Sequence, residues 1–143
     1  MDLWNWMYVS RSRIHAADLE DEIANLVQRS RLKNKVLQVT GVLVFDGTHF
    51  AQFVEGPQQS VSGLRSAIEE DSRHHDVRTI LYAGEQSRKM AEWTLGYSGR
   101  SLVITRAIRR ALRDIDKEDP AAGTRLLSMF TKLAGSDLIS CSS

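Results

Sequence analysis

The stretch at residues 38–56, QVTGVLVFDGTHFAQFVEG, decides the fold. Two runs rich in Val, Phe and Thr flank Asp46-Gly47, the dipeptide that most strongly marks a hairpin turn. With Asp46 and Gly47 as the two loop residues, Phe45 pairs with Thr48, and counting back sets Gly41 opposite Gln52. The period of two puts Phe50, Gln52 and Val54 on one face. A primary amide such as Gln52 can be neither acid, base nor nucleophile. Its two ends are opposite in hydrogen bonding and almost equal in shape, so rotation exchanges donor for acceptor. A glycine across the ladder makes the surroundings flat and apolar, a shape suited to a planar heteroaromatic ring. Two plainer readings stand beside this one. Gln52 serves as a neighbour of some backbone group, and Gly41 marks a bulge.

Working outward, residues 3–10 alternate as a strand, with Trp4, Trp6, Tyr8 and Ser10 on one face. Residues 17–32 carry Leu19, Ile23, Leu26 and Val27 at helical spacing, with Asp18, Glu20, Asp21 and Glu22 crowding the first turns where the dipole favours them. Pro57 opens a second helix through Val61, Leu64 and Ile68, expected to end near His74. Residues 77–83 read as a fourth strand and 94–98 as a short fifth. The order β-α-β-β-α-β-β predicts an α+β, ferredoxin-like sandwich with two helices on one sheet face. Two additional C-terminal helices follow. Ile104, Ile108, Leu112 and Ile115 mark the first. Asp119-Pro120 opens the second, which carries Leu126, Leu127, Phe130 and Leu133 and closes at Gly135. They either cover the bare sheet face or form a dimer interface.

Composition narrows the function classes. The 143 residues make one domain with a short appendage, and 42% hydrophobic with 26% charged content is that of an ordinary globular chain. A net charge of +1 gives no field to collect nucleic acid or an anionic membrane. The basic stretch at residues 106–113 alternates with apolar residues and reads as a solvated helix face. No apolar run reaches the ~18–20 residues of a membrane span. The first residues show no signal pattern, and the single cysteine, Cys141, gives no disulfide framework or thiolate metal site. The expected location is cytoplasmic.

Read together, the pieces Tyr8-Val9-Ser10-Arg11-Ser12, Lys33-Asn34, Thr40-Gly41-Val42-Leu43, Asp46-Gly47, Phe50-Ala51-Gln52, Glu55-Gly56-Pro57, Asp71-Ser72-Arg73-His74 and Trp93-Thr94-Leu95-Gly96-Tyr97 follow the order and spacing of a known family. The chain resembles the BLUF family of flavin-based blue-light sensors, in its short stand-alone form. The resemblance implies a noncovalently bound flavin, FAD with FMN as the alternative, held between the first two helices. It implies a sensor domain over residues 1–98 and a helical cap or output segment over 99–143, with no enzymatic activity.

By the same resemblance Tyr8 is the photochemical donor of an electron and a proton. Gln52 bridges the Tyr8 hydroxyl to flavin N5 and rearranges after illumination toward the C4 carbonyl, and Ser10 supports that network. Asn34 is similar to the asparagine bonded to the N3–C4=O edge, and Lys33 stands where the family often has a polar group near the C2 carbonyl. Asp71 and Arg73 are similar to residues at the ribityl and phosphate end, where a guanidinium fork suits phosphate, and His74 to one beside the outer ring. Trp93 and Leu95 take the relay positions. Leu95 departs from the family's usual Met, whose sulfur can accept an amide hydrogen bond as leucine cannot, and Met90 stands for the usual Phe. The signal is expected to leave through the C-terminal helices, by self-association as a dimer or larger homo-oligomer, or to a separate protein partner. Without the family, the flavin-dependent redox enzyme and the plain interaction module remain the rival readings; no G-x-G-x-x-G fingerprint supports the first.

Overall fold

The protein is described from a computed structural model at residues 2–14, 17, 19–99 and 101–135. The expectations for Asp18 and Cys141 lie outside the described residues. The elements are β1 (Leu3–Ser12), α1 (Leu19–Leu37), β2 (Thr40–Phe45), β3 (His49–Pro57), α2 (Gln58–Glu70), β4 (His74–Glu85), β5 (Gly96–Ser98), α3 (Leu102–Asp116) and α4 (Ala122–Ala134). They build one sheet of order β4-β1-β3-β2-β5. The first four strands pair antiparallel, and β5 lies parallel to β2. This is the ferredoxin-like α+β arrangement that the sequence predicts.

Strand alternation sorts the core onto two faces. Trp6, Tyr8, Val54, Leu43 and Phe50 face one side, where Ile23, Leu26 and Val27 of α1 and Val61 and Leu64 of α2 cover them. Met7, Val9, Val42, Val44, Ala51 and Phe53 face the other, under Ile104 and Ile108 of α3 and Leu126, Phe130 and Leu133 of α4. The C-terminal helices thus cover the sheet face that α1 and α2 leave bare. Arg106, Arg109, Arg110 and Arg113 lie exposed on α3, the solvated face expected of that stretch.

The hairpin corrects one expectation. The Asp46 carboxylate accepts from the Thr48 and His49 backbone N–H groups at 2.8 and 2.6 Å, and Gly47 sits at φ 100°. This side-chain turn leaves four residues, 46–49, between the paired Phe45 and Phe50 in place of the expected two. Phe45 therefore pairs with Phe50, Leu43 lies opposite Gln52, and Gly41 faces Val54. The pairing slips by an even number, so every side chain keeps its expected face. Gly41 answers to a close backbone approach instead of a ligand: a Cβ there would stand 2.0 Å from the Phe53 carbonyl oxygen.

Element ends differ where local chemistry overrides pattern. α1 runs five residues past the expected Leu32 and closes when Gln38 adopts φ 59°. The Gln38 and Val39 N–H groups then reach back to the Lys35 and Asn34 carbonyls at 3.4 and 2.9 Å, a Schellman-type end without glycine. α2 stops at Glu70, because Asp71 turns the chain: its carboxylate takes the Arg73 N–H and its carbonyl the His74 N–H. His74 therefore begins β4, three residues ahead of the expected start, paired with Ser12. β5 is confined to Gly96–Ser98, shorter than the expected 94–98. Ser101 caps α3 by accepting from the Ile104 N–H at 3.1 Å. Asp119 takes the Ala121 N–H, so α4 proper starts at Ala122, past Pro120, and ends at Gly135.

Candidate functional site

A cleft opens between α1 and α2 above the middle of the sheet. Its floor is Tyr8, Leu43 and Gln52, its walls Leu26 and Asn34 on one side and Leu64, Ala67 and Ile68 on the other. Arg29, Ser30 and Lys33 of α1 and Asp71, Arg73 and His74 from the α2–β4 turn complete it. The sheet register brings the two central residues together: Tyr8 on β1 is the direct cross-strand partner of Gln52 on β3. The Tyr8 hydroxyl donates to Gln52 Oε1 at 2.5 Å, with both side chains buried. Accepting at the oxygen leaves the Gln52 NH2 end free to act as a donor. Burial, with a smaller push from the Asp71 carboxylate, raises the Tyr8 phenol above its usual range. Tyr8 is thus a neutral phenol with its proton directed at one acceptor.

The shell around this pair is largely aromatic. The Trp6 indole stacks on Tyr8 with ring centroids 4.4 Å apart and donates its N–H to the Thr79 hydroxyl. Ser10 stands one step along the same face, 2.8 Å from His74 Nδ1, and the His74 ring packs 4.7 Å from Phe50. Desolvation lowers His74 to about 4 against the opposing pull of Asp71, so the imidazole is neutral at physiological pH. At the α2–β4 turn the Arg73 guanidinium clamps Asp71, with Nη2 to Oδ2 at 2.5 Å. That hydrogen bond holds the Asp71 carboxyl below its usual range.

Asn34 is buried in the last turns of α1 and donates from Nδ2 to the Thr94 carbonyl at 3.0 Å. Its Oδ1 remains an acceptor. Arg31 adds a second tie from α1, Nε to the Leu95 carbonyl at 3.1 Å. The two relay positions part company. Leu95 is buried with Ile23, Leu26 and Leu43 on the cleft side of the sheet. Trp93 is half-buried and packs against the cluster under α3 and α4, on the opposite side. Neither lines the cleft among the described residues, nor does Ser10, whereas Tyr8, Lys33, Asn34, Gln52, Asp71, Arg73 and His74 all do. Arg29 and Ser30 are lining residues that the sequence reading missed. They share the helical face of Leu26 and Lys33, and that spacing is the signal that finds them.

Comparison with protein families matches residues 3–96 to BLUF, described as sensors of blue light using FAD. The chain belongs to the BLUF family. The blue light- and temperature-regulated antirepressor BluF of Escherichia coli (strain K12) is 34% identical over 73 residues, which is 51% of this chain and 18% of that protein. The photoactivated adenylate cyclase subunit beta of Euglena longa is 32% identical over 85 residues, 59% of this chain and 10% of that protein. The chain therefore spans less than a fifth of either curated relative. The dark-state structure of BlrB, a BLUF protein, superposes with a TM-score of 0.73 at 26% identity, covering 94% of this chain and 96% of that one.

The residues present fit the flavin that BLUF domains use. Leu26, Leu43, Leu64 and Ile68 present apolar surface to the cleft, as a planar ring would need, and Gln52 and Asn34 present amides. Arg29, Lys33 and Arg73 supply cationic donors among the cleft residues, as a nucleotide phosphate requires. Among the described residues no group of His, Cys, Asp and Glu could hold a metal ion, and no helix is long and apolar enough to cross a membrane.

Proposed function

We propose that this protein is a blue-light photoreceptor whose noncovalently held flavin, FAD with FMN as the alternative, lies in the cleft between α1 and α2. The observation that carries the reading is the buried Tyr8–Gln52 hydrogen bond at 2.5 Å on the cleft floor. A flavin excited by blue light is a strong one-electron oxidant. Tyr8 would supply that flavin with an electron and, through the Gln52 amide it already contacts, a proton, and both would return to Tyr8 on recombination. Gln52 then reorients, exchanging the end it presents to Tyr8 for the end it presents to the cleft. Ser10 and His74 brace this pair from the side. Asn34 and Lys33 hold the polar ring edge, and Asp71 and Arg73 the ribityl and phosphate end.

A change at Gln52 reaches the rest of the chain by two routes. On the cleft side Asn34 and Leu95 couple α1 to the segment before β5. Trp93, two residues from Leu95, meets the α3–α4 face. We read residues 1–98 as the sensor and 99–143 as the helical cap and output segment. The protein acts without an enzymatic activity of its own, in the cytoplasm. It passes the signal through self-association, as a dimer or larger, or to a separate partner protein. The test is the visible spectrum of the purified, flavin-loaded protein in the dark, under blue light and during recovery. A small red shift of the flavin bands that reverts thermally is expected. Flavin bands that bleach or stay fixed, or no flavin after reconstitution, overturn the reading.

A further inference from the structure

On the side of the sheet away from the cleft lies a carboxyl cluster that the photochemistry does not use. Glu55, on β3, has no exposed surface. Its two oxygens accept from the Lys89 backbone N–H at 2.8 Å and the Met90 N–H at 2.5 Å, and the second also from the Thr40 hydroxyl at 3.2 Å. Both amides belong to the connection from β4 to β5, the stretch that also carries Trp93, Thr94 and Leu95. A second carboxyl, Glu85, closes β4 with a side chain only 4% exposed. Its Oε2 accepts from Asn5 Nδ2 and from the Lys89 ammonium, each at 3.0 Å. Two buried acceptors nearby have no donor: Glu85 Oε1 and Asn5 Oδ1. The Glu55 and Glu85 carboxyls stand within hydrogen-bonding reach of each other. Two buried carboxyls and the Asn5 amide, with two unpartnered oxygens among them, lack one thing, a proton to donate.

We propose that Glu55 and Glu85 share one bound proton that clasps the β4–β5 connection to the sheet, and that its loss loosens the stretch from Arg88 to Leu95. The charged groups beside the pair are each other, the Lys89 ammonium and the Arg88 guanidinium; Asn5 from β1 and Thr40 from β2 contribute neutral groups. Arg88 grips the same connection from outside, donating to the Thr40 hydroxyl and to the Glu55 and Gln38 carbonyls. Burial, reinforced by Glu85, raises Glu55 to about 7. In an opened connection Glu55 meets water and returns toward an ordinary carboxyl. The closed form therefore binds the proton more tightly than the open form. By linkage the clasp is firmest below neutrality, and opening becomes easier as pH rises through about 7.

Site-resolved amide hydrogen exchange on the flavin-loaded full chain tests this. Corrected for intrinsic rates, protection of the Lys89 and Met90 amides should fall about tenfold or more between roughly pH 6 and pH 8.5, one unit of pKa difference being tenfold. The Phe53 amide in the middle of β3 should not follow. Glu55→Gln carries its own N–H donor in place of the proton, and its protection should be flat with pH. If that variant does not fold, Glu85→Gln serves instead: with one carboxyl gone, the midpoint should move to more acid pH. Flat protection in the unmodified protein overturns the proposal. So does a parallel fall at Phe53, or a pH dependence that survives unchanged in both folded variants.

Discussion

Gln52 matters because its amide is the group on the cleft floor that can reverse polarity without changing shape. Gln52→Leu keeps the volume and apolar contact but removes both ends of the switch. It should retain the flavin and lose the light-induced red shift, which difference spectroscopy reads directly. Tyr8→Phe keeps the ring stacked under Trp6 and removes the hydroxyl that donates to Gln52. The normal photocycle should be absent in that variant too, and a red shift of unmodified size would remove Tyr8 from its role. His74 carries a prediction about stability. Burial holds it at about 4 against an ordinary 6.5, so the unfolded chain takes up the proton first as pH falls. The stability it contributes is complete above about 6.5 and is lost as pH drops through about 4. In His74→Gln that part of the acid loss should be missing from urea midpoints measured stepwise between about pH 7 and pH 4.

The strands and helices show why some of this was legible in sequence and some was not. β2 and β3 touch so closely at Gly41 that any side chain must displace backbone, since the Phe53 carbonyl oxygen lies in the way. Gly41→Ala should therefore cost about 1–3 kcal/mol or more in denaturant unfolding, as overpacking does. The faces of Tyr8 and Gln52 could be read from a period of two alone, and that reading survived a register error because the slip was even. The error itself came from the Asp46 side chain, which competes with the backbone for turn N–H groups. The end of α1 was hidden for a related reason. Gln38 takes the left-handed cap position that glycine usually marks, so no sequence signal announced that Asn34 lies inside the helix. The Asn34–Thr94 hydrogen bond spans sixty positions and depends on the packed fold. The separation of Trp93 from Leu95 across the sheet likewise depends on where β5 docks.

Taken as one body, the molecule is a single sheet with a cleft and two helices on one side and a helical pair on the other. The two sides should respond separately to damage. Ile108 of α3 is fully buried against the sheet cluster, and Ile108→Ala should cost about 2–5 kcal/mol of unfolding free energy. The dark flavin spectrum should stay as it was, because Ile108 has no place among the cleft residues. A displaced flavin spectrum in a folded Ile108→Ala protein would show that α3 helps shape the cleft.

The division of side chains along each strand also bears on how such a protein can diverge. Phe53 and Gln52 are neighbours in sequence, yet one supports α3 and α4 and the other lies on the cleft floor. Alternate positions of the central strands thus answer to different demands: on β1 and β3 the odd ones face whatever packs below and the even ones the cleft above, with the parity reversed on β2. The lower layer can be rewritten, lengthened or exchanged for another attachment while the upper letters stay fixed.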